Sequence, residues 1–127
     1  MTEFLLQYRD EIIQQSLEHL FLVAISTGIA ILIGIPLGIL ITRKPEYSQV
    51  VLGFANVMQT IPTLALFAFL IPVPIVGGIG ARTAIVALTL YALLPIIRNT
   101  YTAIANVDPA IREAGRGMGM TDWQLLW

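Results

Sequence analysis

Cysteine is absent from this 127-residue chain, and charge is nearly absent from its middle. Without a thiol there is no disulfide framework and no thiolate chemistry, although the absence says nothing of compartment. Only 12% of the residues are charged, against about a quarter in an ordinary soluble domain. A net charge of −1 leaves none of the basic excess that accompanies nucleic-acid binding. Histidine occurs once, and His19 reads as an interfacial residue rather than a ligand or proton relay.

What is present is largely apolar, at 57% of the chain. No Asp, Glu, Lys or Arg occurs between Leu20 and Thr42, between Tyr47 and Ala81, or between Thr83 and Ile97. Gaps of this kind mark bilayer spans, since a helix needs roughly 20 mostly apolar residues to cross the hydrocarbon. A soluble helical bundle would instead carry polar stripes along most of its helices. The expected fold class is therefore all-α: a polytopic helical membrane protein, one domain with three transmembrane helices and a short polar C-terminal segment.

Residues 2–19 are expected to form an amphipathic helix along the headgroups, with Phe4, Leu5, Tyr8 and Ile12 on one face. Acids in this stretch, in place of a basic n-region, argue against a cleavable signal peptide. The first span is predicted over 20–41, ending at Arg43, Lys44 and Pro45. Within it Gly34 and Gly38 form a small-xxx-small pair that admits a close neighbour, and Pro36 should bend the helix. A second span is predicted over 48–71, followed by a loop from Pro72 to Arg82 that holds two prolines and three glycines. A third, over 83–101, has a charge-free core of 15 residues, or about 22 Å. So short a core must tilt little, thin the bilayer, or continue through Arg98 to Tyr101 inside a bundle. Counting basic residues, Arg43, Lys44, Arg98, Arg112 and Arg116 fall on one side and Arg9 and Arg82 on the other. This predicts an external N-terminus and a cytoplasmic segment over 102–127.

In the second span Asn56, Gln59, Thr60 and Thr63 fall at i, i+3, i+4 and i+7, a narrow stripe on a continuous helix. Aligned polar groups in a membrane need partners. Either they line a path for a polar solute or they are hydrogen-bonded glue between helices. Pro62 beside them removes a helical hydrogen bond, so a hinge or gate at Thr60–Thr63 is expected.

The chain closes on DPAIREAGRGMGMTDWQLLW, a polar segment dense in helix signals. Asp108 is an N-cap and Pro109 a first helical residue. Ile111, Ala114, Gly115 and Met118 share one face, Arg112 and Arg116 another, and Glu113 precedes Arg116 by three. Gly119 supplies a left-handed stop, and Thr121 with Gln124 is a capping box that opens a second helix. Gly115 and Gly117 each cost about 1 kcal/mol of helix stability relative to Ala. A helix with clear ends and weak intrinsic stability calls for a surface to dock on: a partner, the membrane, or its own bundle.

Glu113-Ala114-Gly115, three residues, then Gly119 resembles the E-A-A-x-x-x-G loop of binding-protein-dependent ATP-binding cassette importers, with Gly115 in place of the second Ala. The distal I-x-L-P half of that motif would fall beyond Trp127. NVMQTIPTLALFAFLIP and YALLPIIRNTYTAI are similar to permease subunits of the importers for glycine betaine, choline, carnitine and related osmoprotectants. The resemblance covers the first half or so of such a permease, and further spans are expected after the loop. It implies a transport subunit of a bacterial-type inner membrane with no catalytic residue or cofactor of its own. The helix after Pro109 would be the coupling helix, seated on a cytoplasmic ATPase that holds ATP and magnesium. A second permease subunit, as a homodimer, and an extracytoplasmic solute-binding protein or domain would complete the assembly. Glu113, Ala114, Gly115 and Gly119 match the motif; Arg112 and Arg116 are added as charge partners for the ATPase. Aromatic faces that suit a quaternary ammonium group occur at Phe54, Phe67, Phe69, Tyr91 and Tyr101, but none is assigned to substrate. The alternatives are an importer for another small solute such as an amino acid, a channel or ion-coupled carrier, and a small structural membrane protein. Channels and carriers place ionisable residues within spans, and the three apolar cores contain none. A structural protein has no use for a capped, glycine-rich polar helix.

Overall fold

The computed structural model describes residues 7–126. Phe4 and Leu5, part of the expected amphipathic face, lie outside them. The described residues form five α-helices and no strand: α1 (Arg9–Thr42), α2 (Pro45–Gln59), α3 (Thr63–Leu70), α4 (Ala81–Ala105) and α5 (Pro109–Gly117). Helices α1 and α4 are each long and apolar enough to cross a membrane, and α2 with α3 makes a third span if the bent pair is one crossing.

Helix α1 runs unbroken for 34 residues, about 51 Å. From Arg9 on, the expected surface helix and first span are thus one rod, continuous through His19 and through Pro36. Its first part, from Arg9 to Phe21, is exposed along its whole length. Farther on, Ser26, Ala30, Gly34 and Gly38 are buried at four-residue intervals, one stripe of small side chains. This stripe meets α4, where Thr83, Ala87, Leu94 and Ile97 are buried. A Cβ on Gly34 would come within 2.8 Å of Ile96 Cγ2, and one on Gly38 within 2.6 Å of Thr100 Cβ and 3.1 Å of the Ile97 carbonyl. Association inside a bilayer gains little from the hydrophobic effect and relies on such close backbone approach.

The predicted second span is not one helix. The axes of Glu46–Gln59 and Thr63–Leu70 meet at a bend of 98°. Pro62, with φ −57° and ψ 138°, is extended rather than helical. It has no N–H to give, and its ring disfavours helical backbone at Ile61. Thr60 helps close α2 by donating its hydroxyl to the Val57 carbonyl at 2.6 Å. At 15 and 8 residues, about 22 and 12 Å, neither piece alone reaches across a hydrocarbon layer of about 30 Å.

The loop after α3 is tied to the start of α4. Thr83 Oγ1 donates to the carbonyls of Val76 and Gly78, and Arg82 donates to that of Ile75. Gly77 lies against the carbonyls of Leu70, Ile71 and Val73, leaving no room for a side chain. Helix α4 has 25 residues, about 37 Å. The short apolar core is extended by helix through Arg98 to Ala105, so the helix continues four residues past the predicted end at Tyr101.

Candidate functional site

Two places carry polar structure beyond what packing requires: the C-terminal segment and the α2–α3 break. Helix α5 begins where Asp108 Oδ1 accepts from the Ala110 amide at 2.8 Å, with Pro109 at the first helical position. It stops at Gly119, whose φ of +80° is left-handed. The Gly119 amide bonds the Arg116 carbonyl at 2.9 Å and the Met120 amide the Gly115 carbonyl at 3.1 Å, the paired bonds of a Schellman stop. Immediately after, Thr121 and Gln124 bond reciprocally: the Thr121 amide donates to Gln124 Oε1 at 2.8 Å, and the Gln124 amide to Thr121 Oγ1 at 3.3 Å. The expected second helix amounts to one capped turn among the described residues.

That turn folds back on α5. Gly115 is the one buried residue of the helix, and a Cβ there would run into Leu125 and come within 3.2 Å of Met120 Sδ. At Gly115 the chain's own tail makes the close approach. Glu113 and Ala114 remain exposed, as do Arg112 and Arg116. Arg112 also donates to the Val107 carbonyl at 3.3 Å, bracing the turn that leads into α5. A second tie runs to the C-terminal end of α1, where Arg43, just past the helix, pairs with Asp122 at 3.4 Å. Both partners are more than half exposed, so the pair orients the tail more than it stabilises it. Arg43, Arg112, Arg116 and Asp122 line an open cleft of about 580 Å³ with apolar walls from α1, α4 and the tail.

At the break, the expected stripe is divided. Asn56, Gln59 and Thr60 belong to α2 or its end, while Thr63 begins α3 beyond the bend. Asn56 Oδ1 accepts from Arg98 Nη1 at 3.1 Å, so this member of the stripe is interhelical glue. Thr60 spends its hydroxyl within its own helix. The carbonyl of Ile61, at the break itself, accepts from the Tyr91 hydroxyl at 2.9 Å. Tyr91 and Arg98 were not singled out in the sequence as partners of this element. The available signal was their spacing of seven residues, which sets two polar-tipped side chains on one face of α4.

Residues 30–127 match the model of the family described as binding-protein-dependent transport system inner membrane component. The chain is 52% identical over 111 residues to the osmoprotectant import permease protein OsmW of Salmonella typhimurium, covering 86% of this chain and 52% of that protein. It is 46% identical over 112 residues to the carnitine transport permease protein OpuCB of Listeria monocytogenes, covering 88% of this chain and 50% of that protein. With the glycine betaine/carnitine/choline transport system permease protein OpuCB of Bacillus subtilis it shares 42% identity over 126 residues, 99% of this chain and 57% of that protein. The chain therefore spans about half the length of the curated relatives it matches. No solved structure matches it. A chain built of apolar membrane-length helices, ending in a doubly capped polar helix and matched over residues 30–127, belongs to the family of binding-protein-dependent transport system inner membrane components.

Proposed function

We propose that this chain is the N-terminal part of a permease subunit in an ATP-driven importer of osmoprotectants, quaternary ammonium solutes such as glycine betaine, choline or carnitine. The observation that carries the reading is the 52% identity to an osmoprotectant import permease over 86% of the chain. It is supported by α5, a short helix with built ends and an exposed Glu113–Ala114 face. Helix α5 is the coupling helix: Glu113 and Ala114 face a groove on a cytoplasmic ATPase, and Arg112 and Arg116 meet acidic groups there. Gly115 and Gly119 act on the helix itself, one letting the tail close over it and the other stopping it.

ATP and magnesium are handled by the ATPase, and this chain contributes movement rather than hydrolysis. When two ATPase subunits close, the docked helices shift as rigid bodies and the membrane helices exchange one packing for another. The N-terminus lies outside and residues 102–127 in the cytoplasm, consistent with the bias of basic residues. A second permease subunit and an extracytoplasmic solute-binding protein complete the machine. The bend at Thr60–Pro62–Thr63 is the hinge of the path, with Gln59 as the exposed polar group next to it.

The test is to purify the full-length permease with its ATPase and measure uptake of labelled glycine betaine, choline, carnitine and a panel of amino acids in proteoliposomes. Uptake of the quaternary amines, abolished by Glu113→Lys or Gly119→Val together with loss of ATPase co-purification, is the expected result. Uptake of amino acids alone overturns the solute, and unchanged co-purification in both variants overturns the docking site.

A further inference from the structure

A transport cycle on this reading must move the bent arm formed by α2 and α3, and some contact must hold that arm between movements. We infer that Tyr91 positions the break, with Arg98 as a second point of attachment, and that together they latch the arm in one of two arrangements.

The break creates the need. Where a helix ends, its last carbonyls have no partner in a following turn, and in a bilayer no water replaces one. Ile61 lies past the Thr60 cap and immediately before Pro62, so its carbonyl belongs to neither helix, and the Tyr91 hydroxyl reaches it at 2.9 Å from α4. Two turns along the same face of α4, Arg98 donates to Asn56 Oδ1 at 3.1 Å, a charge-assisted bond. One face of α4 therefore grips the arm at its bend and again on α2.

The sites it joins are both weakened by proline. Pro62 interrupts the arm. Pro95, inside α4, lies four residues after Tyr91 and has no N–H to give the Tyr91 carbonyl. Tyr91 thus bridges two points where the backbone yields. Within this chain, which spans about half the length of its relatives, Leu66 is the one buried residue of α3, while Leu64 and Phe69 are 84% and 72% exposed. An element with few buried contacts and two discrete hydrogen bonds is easily released.

The experiment uses the full-length permease with its ATPase in lipid nanodiscs. Spin labels on cysteines introduced at Leu64 and Asn99 report the α3-to-α4 distance with and without ATP. Tyr91→Phe keeps the ring and removes the hydroxyl; it should shift the ratio of latched to released distances by about five-fold, the equilibrium value of one net hydrogen bond. Asn56→Leu should shift it in the same direction from the opposite helix. Thr89→Val removes another α4 hydroxyl, one that reaches the Ser26 carbonyl on α1 at 3.4 Å, and should leave the ratio unchanged. A Tyr91→Phe distribution that coincides with wild type overturns the latch, as does an equal shift in Thr89→Val. Should Tyr91→Phe not assemble, Asn56→Leu decides by the same criterion. The distances are read without solute, so failure of betaine uptake sinks the transport assignment and leaves the latch standing or falling on its own.

Discussion

Helices α1 and α4 meet through backbone-close contact, with Gly34 and Gly38 under Ile96 and Thr100. The arm of α2 and α3 is tied to α4 by a tyrosine hydroxyl and an arginine–asparagine bond. The first contact is distributed over many atoms along a stripe, and dispersion of that kind is lost only if the helices separate. The second rests on a few buried residues, Ala55 and Leu66 among them, and on two polar contacts, each of which breaks on a small rotation. On the function proposed above, α1 and α4 are the frame and the bent arm is the moving part.

The largest effect is expected at Gly38. A side chain there must displace Thr100 and the Ile97 carbonyl, and backbone does not yield as a flexible side chain does. Gly38→Val is expected to cost about 1–3 kcal/mol or more and to remove the protein from the membrane fraction, read by immunoblot. Gly34→Ala, opposite side-chain atoms of Ile96 and Leu93 only, should be milder, with reduced but measurable abundance. A smaller structural and larger functional effect is expected at Pro62. Pro62→Ala removes a helix penalty of about 3 kcal/mol and lets α2 and α3 straighten. Uptake should fall by about ten-fold or more, the rate equivalent of 1.4 kcal/mol, while co-purification with the ATPase stays intact; unchanged uptake would remove the hinge. The smallest effect belongs to the exposed Arg43–Asp122 pair. Asp122→Asn should lower thermal stability by less than about 1 kcal/mol, and the difference from wild type should vanish in high salt.

Local chemistry was legible in the chain, and long-range chemistry was not. Asp108–Pro109, Gly119 and the Thr121–Gln124 box act within a few residues, and each appears where capping rules put it. The Gly34–Gly38 pair announced close packing without naming its partner, because spacing says that a neighbour comes near but not which one. Pro62 read as a bend inside an apolar run that is uniform on both sides, so nothing there distinguished a kink from a 98° break. The cover of Gly115 by Leu125 could not be read from the helix itself, since it depends on a turn closing back ten residues later. Tyr91 and Arg98 were invisible as partners for the same reason, their mates lying 30 and 42 residues away.

The unbroken run of α1 has a mechanical consequence. A rod about 51 Å long that tilts together with α4 by about 10° around its midpoint carries each tip some 4 Å, in opposite directions. Arg43 sits at one tip and is bonded to Asp122 of the tail, so a nudge near Arg9 arrives at the tail as displacement rather than fading along the way. A see-saw of this kind would link the two ends of α1 without passing through the polar contacts at the α2–α3 break.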